Sequence, residues 1–378
     1  MSGIYIHIPF CKQACYYCDF HFSTQLGKKE LMLQALCKEI RQRKVELGDT
    51  EVETVYFGGG TPSILENTEI EMLIDQVYTN FKVTPNPEIT LEANPDDLSK
   101  NRIEQLSNSP VNRLSIGIQS FYDEDLELMN RAHSADEAAN CISEATKYFE
   151  NISIDLIYGI PGMDHDRWKS NIKKALAFGL PHISSYALTV EPRTALKKFI
   201  EQGKVADVDD AHAQEQFLLL VEMLEANGFV NYEISNFGKP GFFSKNNTSY
   251  WQGKTYIGIG PSAHSFDGIN RSWNVRNNNK YIKAIQAGEL PSEKEKLTLT
   301  DRYNEYVMTG LRTIWGVSLK KVEAEYGVDY LRHINKQGKK FLDSGLLMLN
   351  DGRLTATQKG KFLVDGIASD LFMVNLDL

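Results

Sequence analysis

The sequence has no apolar run approaching the length of a bilayer, so no membrane-spanning helix is expected; at most the chain touches a membrane peripherally. It also lacks a basic surplus. Lys and Arg number 41 against 50 Asp and Glu, a formal net charge of −9. General nucleic-acid binding needs a positive face and is not expected here. Cysteine is scarce, with five in 378 residues and three of those within eight positions. That set does not make the disulfide framework of a secreted domain and points to a reducing cytoplasm. The first residues lead straight into a strand pattern, without the charged and apolar segments of a signal peptide. There is no low-complexity tract, and the length calls for one large domain plus one or two smaller ones.

The clustered cysteines are the main positive feature. Ile4-Tyr5-Ile6-His7-Ile8 alternates as a strand, and Pro9 ends it because proline has no N–H for a sheet ladder. Cys11, Cys15 and Cys18 then occupy the loop that leaves the strand's C-terminal end. A structural zinc site wants four closed ligands, usually as two separated C-x2-C pairs. An iron–sulfur cluster held by three cysteines keeps one iron open to another ligand. The plainer alternatives are a zinc knuckle that borrows a distant His and three unrelated buried thiols. Cys37 and Cys141 fall in helical patterns and read as core residues.

From Ile4 to about Val190 strand and helix patterns alternate. Strands are expected at Thr54–Phe57, Glu88–Ala93, Arg113–Ile118, Ile152–Ile157 and His182–Thr189. Helices are expected at Leu31–Val45, Glu69–Asn80, from Ser99, over Asp123–Phe149 with a break near His133, and at Asp166–Phe178. Such repetition implies right-handed crossovers and a parallel sheet with helices outside. Six units suit an incomplete barrel, a partial (β/α)6 fold of the α/β class. In parallel sheets chemistry gathers at the C-terminal strand ends. There the sequence places Gly58-Gly59-Gly60-Thr61, Glu92, Gln119 with Arg131 beyond it, Asp155 and Ala187. Each has a plain structural reading as a tight turn, a cap or a satisfied buried carboxylate; their succession on neighbouring strand ends favours a common site.

The alternation stops near Thr194. A helix is expected at Phe217–Ala226, extended chain at Tyr232–Phe237, and then the polar, aromatic stretch Ser244–Trp251. Gly258 and Gly260 suggest close backbone approach, and His264 reads first as a hydrogen-bonded core residue. After a helix and linker at Asn277–Pro291, helices are expected at Arg302–Thr313, Leu319–Tyr326 and Leu331–Ser344. A hairpin follows, with Asp351-Gly352 at its turn. Helices followed by a β-wing resemble a winged-helix module, a fold that often binds DNA. From Leu297 to Leu378, however, eleven Lys and Arg meet ten Asp and Glu, too neutral for a phosphate-binding face. A structural or protein-contact role is expected. The three parts are 1–193, 194–296 and 297–378.

The whole chain resembles the oxygen-independent coproporphyrinogen oxidase-like branch of the radical S-adenosylmethionine (SAM) superfamily. The resemblance lies in C-x3-C-x2-C after the first strand and in Tyr5–Cys11, Tyr56–Ser63, Ser115–Phe121 and Asp155–Gly162. It implies that Cys11, Cys15 and Cys18 ligate a [4Fe-4S] cluster and that SAM chelates the open iron. By position, Tyr5, Gly59, Gly60, Thr61, Glu92, Gln119, Arg131 and Asp155 would contact SAM, with Tyr17 and Ala187 beside them. A flavodoxin- or ferredoxin-like electron donor is also implied. Within the branch, the oxidases carry an N-terminal extension and a further cysteine two places after the third. Here the strand begins at residue 4, and Asp19-Phe20 follows Cys18. Both features resemble the sister group of heme chaperones, HemW, which is thought to bind heme and pass it to apoproteins. That group's His-Asn-x-x-Tyr-Trp motif stands here as Asn246–Trp251, with Asn in place of His. An Asn amide is a poor axial ligand, so heme would rest on the aromatic surface around Tyr250 and Trp251, with His264 the next candidate ligand. The alternatives are a coproporphyrinogen III oxidase and, from another class, a redox-cluster winged-helix DNA-binding regulator.

Overall fold

The computed structural model describes residues 2–374; residues 375–378, the end of the expected C-terminal part, lie outside the described residues. Its core is a run of six parallel strands that neighbour one another in chain order: β1 (Ser2–Ile8), β2 (Val52–Gly59), β3 (Val83–Ala93), β4 (Arg113–Gln119), β5 (Ile152–Tyr158) and β6 (His182–Ala187). The six expected strands are all present. β6 ends two residues early because the Leu188 N–H turns to the carbonyl of Tyr158. The long helical pattern after β4 is two helices, Asp123–Leu128 and Ala135–Ala145, broken on either side of His133. Ser134 caps the second through a box with Glu137. The α/β architecture with six parallel strands expected from the sequence is what the chain adopts.

Further strands extend the sheet at both edges. β7 (Val230–Glu233) and β8 (Asn236–Gly238) form a hairpin, and β8 lies antiparallel on β6. At the other edge β9 (Tyr256–Ile259) runs parallel to β1. β10 (His264–Phe266), β11 (Asn270–Asn274) and β12 (Ser292–Lys296) continue antiparallel beyond it. The sheet of twelve strands ends at β12 and β7, which do not pair with each other, so the barrel stays open. β12 gave no signal in the sequence. It reads Ser-Glu-Lys-Glu-Lys and is exposed throughout, a charged edge that resists further strand pairing.

Register sorts the side chains. Ile4, Ile6 and Ile8 of β1 are buried under the helices, each contributing about 1.5–3 kcal/mol by leaving water. The alternate residues face inward and are polar. Tyr5 pairs with Tyr56, Glu92 with Ser115, Gly117 with Asp155, and Asp155 with Ser184 across successive strands. Cys37 and Cys141 are buried core residues, as the sequence suggests.

Three sequence readings are corrected. Tyr232–Phe237 is the β7–β8 hairpin, turned at Ile234-Ser235, rather than one extended segment. Ser244–Trp251 is a short helix, Lys245–Trp251, whose start Ser244 caps by accepting from the Asn247 N–H; its polar composition hid it. His264 is exposed on β10 rather than in the core, and its carbonyl occupies the space that a Gly258 Cβ would need, 2.1 Å away. Gly258 is thus explained by backbone packing. The sequence reading also omitted helix Ala195–Glu201.

The last part folds around its own apolar cluster, which includes Tyr303, Val307, Ile334 and Leu371. Helices Leu299–Leu311, Leu319–Tyr326 and Val328–Asp343 accompany a sheet of β13 (Val317–Ser318, between the first two helices), β14 (Leu347–Asn350) and β15 (Arg353–Ala356), ordered β13-β15-β14. The hairpin turns at Asp351 and Gly352, both left-handed (φ 49° and 71°), as an Asp-Gly turn requires.

One buried carboxylate joins the β9–β11 extension to the barrel. Glu39, on helix Lys29–Gln42, is fully buried. It accepts from Tyr281 Oη at 2.6 Å, the Gly260 N–H at 2.7 Å, Asn274 Nδ2 at 2.7 Å and Arg43 Nη1 at 3.4 Å. Removing one partner of such a set leaves buried polar groups without a mate, at about 3–5 kcal/mol. Glu39→Ala should therefore lower the urea midpoint strongly, whereas Glu30→Ala on the exposed face of the same helix should leave it near the parent's.

Candidate functional site

The cysteine loop is held in place by the turn after β2. The Gly60 N–H donates to the Ile8 carbonyl at 2.8 Å and the Thr61 N–H to that of Phe10 at 2.7 Å. A Cβ at Gly60 would stand 2.6 Å from the Phe10 carbonyl oxygen, and one at Gly59 (φ 112°) would stand 2.5 Å from the His7 ring. Only glycine fits both positions. Glycines in this turn leave both N–H and C=O groups open to a close neighbour. Here the Gly60 and Thr61 N–H groups staple the cysteine loop, and the Gly59 N–H is directed to Glu92. The turn therefore has carbonyl oxygens, not amides, to offer a ligand.

All three cysteines are free thiols, and they open on one cavity of about 850 Å³ at the C-terminal ends of the strands. Arg131 Nη1 lies 3.3 Å from Cys15 Sγ, and Thr61 Oγ1 lies 3.4 Å from Cys11 Sγ. Both are donors aimed at sulfur and suit a thiolate better than a thiol. Burial pushes the unliganded Cys11 thiol up to about 11, with the Thr61 hydroxyl acting against it; a bound cation would reverse that balance. Arg131 also donates from Nη2 to Asn94 Oδ1 at 2.7 Å and to the Gly117 carbonyl at 2.9 Å. Its buried Nε has no partner among the described residues. Three thiols on one loop, no fourth protein ligand from Cys37 or Cys141 in the cavity lining, and two donors to sulfur fit a three-cysteine iron–sulfur cluster.

The opposite wall is carboxylate. Glu92 accepts from Tyr56 Oη at 2.8 Å, and Asp155 faces Ser115 Oγ at 3.5 Å. Burial raises the Glu92 carboxyl to about 7, with Asp155 adding to the rise and Tyr56 and the Gly59 N–H opposing it. Burial likewise raises Asp155 to about 6 against Ser184, Arg113, Arg131 and Ser115. Gln119 also lines the cavity and holds a left-handed backbone, φ 67°, uncommon for a non-glycine residue and typical of constrained sites.

Of the residues singled out by sequence, Cys11, Cys15, Tyr17, Cys18, Gly59, Gly60, Thr61, Glu92, Gln119, Arg131, Asp155 and Ala187 all line this cavity. Tyr5 does not. Its ring stacks on Tyr56 and its hydroxyl meets His7 Nδ1 at 3.2 Å, behind the wall. Sequence reasoning missed Asn94, Tyr186 and Gly117, which the inward register of β3, β4 and β6 supplies. It also missed Arg312, Phe362, Val364 and Asp365, which come from the last part of the chain. Arg312 and Asp365 form a two-point ion pair at 2.7 and 2.5 Å, with the guanidinium over Trp251. No local pattern marks two residues that far apart as partners.

Comparison with known proteins agrees with this geometry. The family description "Radical SAM superfamily" matches residues 5–190 and "HemN C-terminal domain" matches residues 297–363. The chain is 34% identical over 367 residues to heme chaperone HemW of Bacillus subtilis, covering 96% of this chain and 97% of that one. The chain belongs to the HemN/HemW-like branch of the radical SAM superfamily. Within that branch it is also 34% identical to heme chaperone HemW of Mycobacterium tuberculosis, over 98% of this chain and 94% of the other. It is 30% identical to the mitochondrial radical S-adenosyl methionine domain-containing protein 1 of Bos taurus, over 98% and 87%. Among solved structures, coproporphyrinogen III oxidase (HemN) from Escherichia coli superposes with a TM-score of 0.85 at 22% identity, over 98% of this chain and 90% of that one. That likeness shows a shared fold. Radical SAM membership implies a [4Fe-4S] cluster and SAM, and the cavity has the donors for both.

The carboxylate pair has a consequence for the ligand-free protein. A carboxyl whose folded pKa is raised binds its proton more tightly when native, so stability falls as pH climbs from about 4.5 to 7. In Glu92→Gln that decline should be shallower. Thermal midpoints of parent and variant, compared at pH 5 and pH 8, should diverge in the variant's favour at the higher pH; equal shifts would refute the raised pKa.

Proposed function

We propose that the chain is a heme chaperone of the HemW type, which carries a [4Fe-4S] cluster, binds SAM and heme, and passes heme to apoproteins. The observation that carries this reading is the similarity to named heme chaperones along nearly the whole chain. Cys11, Cys15 and Cys18 would hold the cluster, whose remaining iron offers SAM a chelation site and a source of electrons. Arg131 and Thr61 would keep the sulfurs anionic. The carbonyls of Gly59 and Gly60 suit an amino group, and Glu92 and Asp155 suit ribose hydroxyls. Gln119, Tyr17 and Ala187 would complete the wall, and Tyr5 would act through His7 as a positioning residue. A flavodoxin- or ferredoxin-like donor would reduce the cluster, and the cytoplasm would be the working compartment. The parts 1–193, 194–296 and 297–378 would serve as cluster barrel, barrel extension and cavity-closing module.

Heme would lie away from the cysteine loop. Asn246 stands where the motif has His, and its Oδ1 accepts from Thr54 Oγ1 at 3.1 Å near the start of β2. Tyr250, one helical turn on, leads an aromatic row: its ring is 5.5 Å from Trp251 and 5.7 Å from Tyr256, which is 6.4 Å from Phe266. His264 and Phe266 lie two apart on β10, so they share a face, and His264 pairs with Trp273. An exposed imidazole beside an aromatic row provides apolar area and one axial ligand.

Two experiments test the reading. Anaerobically reconstituted protein should hold about four irons per chain, show a spectrum perturbed by SAM, and leave coproporphyrinogen III intact when SAM and a reductant are supplied. Cys15→Ala should lose the cluster while Cys37→Ala keeps it; turnover to protoporphyrinogen would install the oxidase reading instead. In a heme titration, Trp251→Ala should weaken saturable binding, His264→Ala should change the Soret band, and Asn246→His should shift it towards stronger ligation. Wild-type protein that binds no heme saturably would end the chaperone reading.

A further inference from the structure

A second cluster of metal-binding side chains lies outside the cavity. His165 opens helix His165–Ala177, while His212 and Glu215 sit three apart on helix Asp210–Glu225 and so face the same way. The ligand atoms of these three side chains lie within 4.8 Å of one another. His165 Nε2 and Glu215 Oε2 are 2.8 Å apart, near the edge of a coordination polyhedron with metal bonds of about 2.0–2.2 Å. The two imidazole rings are stacked, 10° apart with centroids at 4.4 Å, so one ring has to turn about its χ2 for both lone pairs to meet on one ion. His165 Nδ1 is buried without a partner among the described residues. His212 is fixed from behind: its Nε2 lies 2.8 Å from the Met163 carbonyl, and Gln216 holds the same carbonyl and the Gly159 N–H. Such outer contacts orient metal-binding histidines.

We propose that His165, His212 and Glu215 bind one divalent transition-metal ion of the zinc class. Two imidazoles and a carboxylate are a borderline donor set that suits Zn2+, Co2+ or Ni2+ rather than Ca2+ or Mg2+. Glu215 is two-thirds exposed (66%) and His165 one-third (34%), so the ion would keep solvent ligands. On binding, His165 changes from the tautomer that donates from Nε2 to Glu215 to the one protonated at Nδ1, which frees Nε2 for the ion with no net proton released. The ion would pin helix Asp210–Glu225 to the loop after β5, whose Tyr158 and Leu188 neighbours border the cluster cavity.

Cobalt(II) is the probe, added anaerobically to cluster-loaded full-length protein. The wild type should bind one equivalent, with visible d–d absorption and no thiolate charge-transfer band. His212→Ala and Glu215→Gln should each weaken binding at least about tenfold, with iron content and the SAM-induced spectral change retained. A cluster-free Cys15→Ser variant should still bind the equivalent, which separates this site from the proposed chaperone function. Absence of saturable cobalt binding, affinity unchanged in His212→Ala, or a thiolate charge-transfer band would each overturn the proposal.

Discussion

The site depends on a contact between two backbones. β1 ends at Ile8, before Pro9, and the loop beyond it leaves the sheet, with only a bridge between Phe10 and Ser23 of its own. The turn after β2 ties that loop to the barrel, through the amides of Gly60 and Thr61. This approach is close enough that a single methyl group on Gly60 would collide with the Phe10 carbonyl. The three cysteines are thus presented from a fixed platform rather than a free loop. Preorganisation of this kind matters for a cluster, whose ligands must meet in a defined geometry.

The barrel interior bears an electrostatic cost that its exterior avoids. The outward isoleucines of β1 bury against helices, while the inward positions carry Glu92, Asp155, Arg113 and His182. Each inward group has named partners, such as Ser153 and Tyr232 for His182 at 2.7 and 2.8 Å. Burial still drives the carboxyls of Glu92 and Asp155 towards neutrality. A polar ligand that donates to them offsets that cost, so the ligand-free cavity is less favourable than a filled one.

The last part of the chain contributes to the same cavity. Phe362 packs 5.9 Å from Phe217 of the barrel, and Lys361 donates to Asn231 Oδ1 at 2.6 Å. Arg312 and Asp365 bring an ion pair to the cavity wall, and Arg312 also lies over Trp251. The aromatic row and the cluster cavity are therefore joined through one guanidinium. Four residues of this part, Arg312, Phe362, Val364 and Asp365, line that cavity.

The sequence by itself determined the parallel core and the cluster loop. Strand–helix repetition fixes crossovers, alternation fixes which face of β1 is apolar, and Cys11, Cys15 and Cys18 are close enough in sequence that any loop brings them together. The Asp351-Gly352 turn was legible for the same local reason. Placement of Glu92, Gln119, Arg131 and Asp155 on one cavity followed from the rule that parallel strands end on the same side. Tertiary structure alone decided the rest. Charged β12 gave no alternation to read, and the Lys245–Trp251 helix is stabilised by the Ser244 cap and by Glu88, which accepts from the Lys245 and Asn246 N–H groups, rather than by composition. Tyr5 was displaced from the wall by the stacking of Tyr56 and its bond to His7. Arg312 with Asp365, and His165 with His212, are pairings between residues distant in the chain. Such pairs are set by how whole elements dock, which no local spacing encodes.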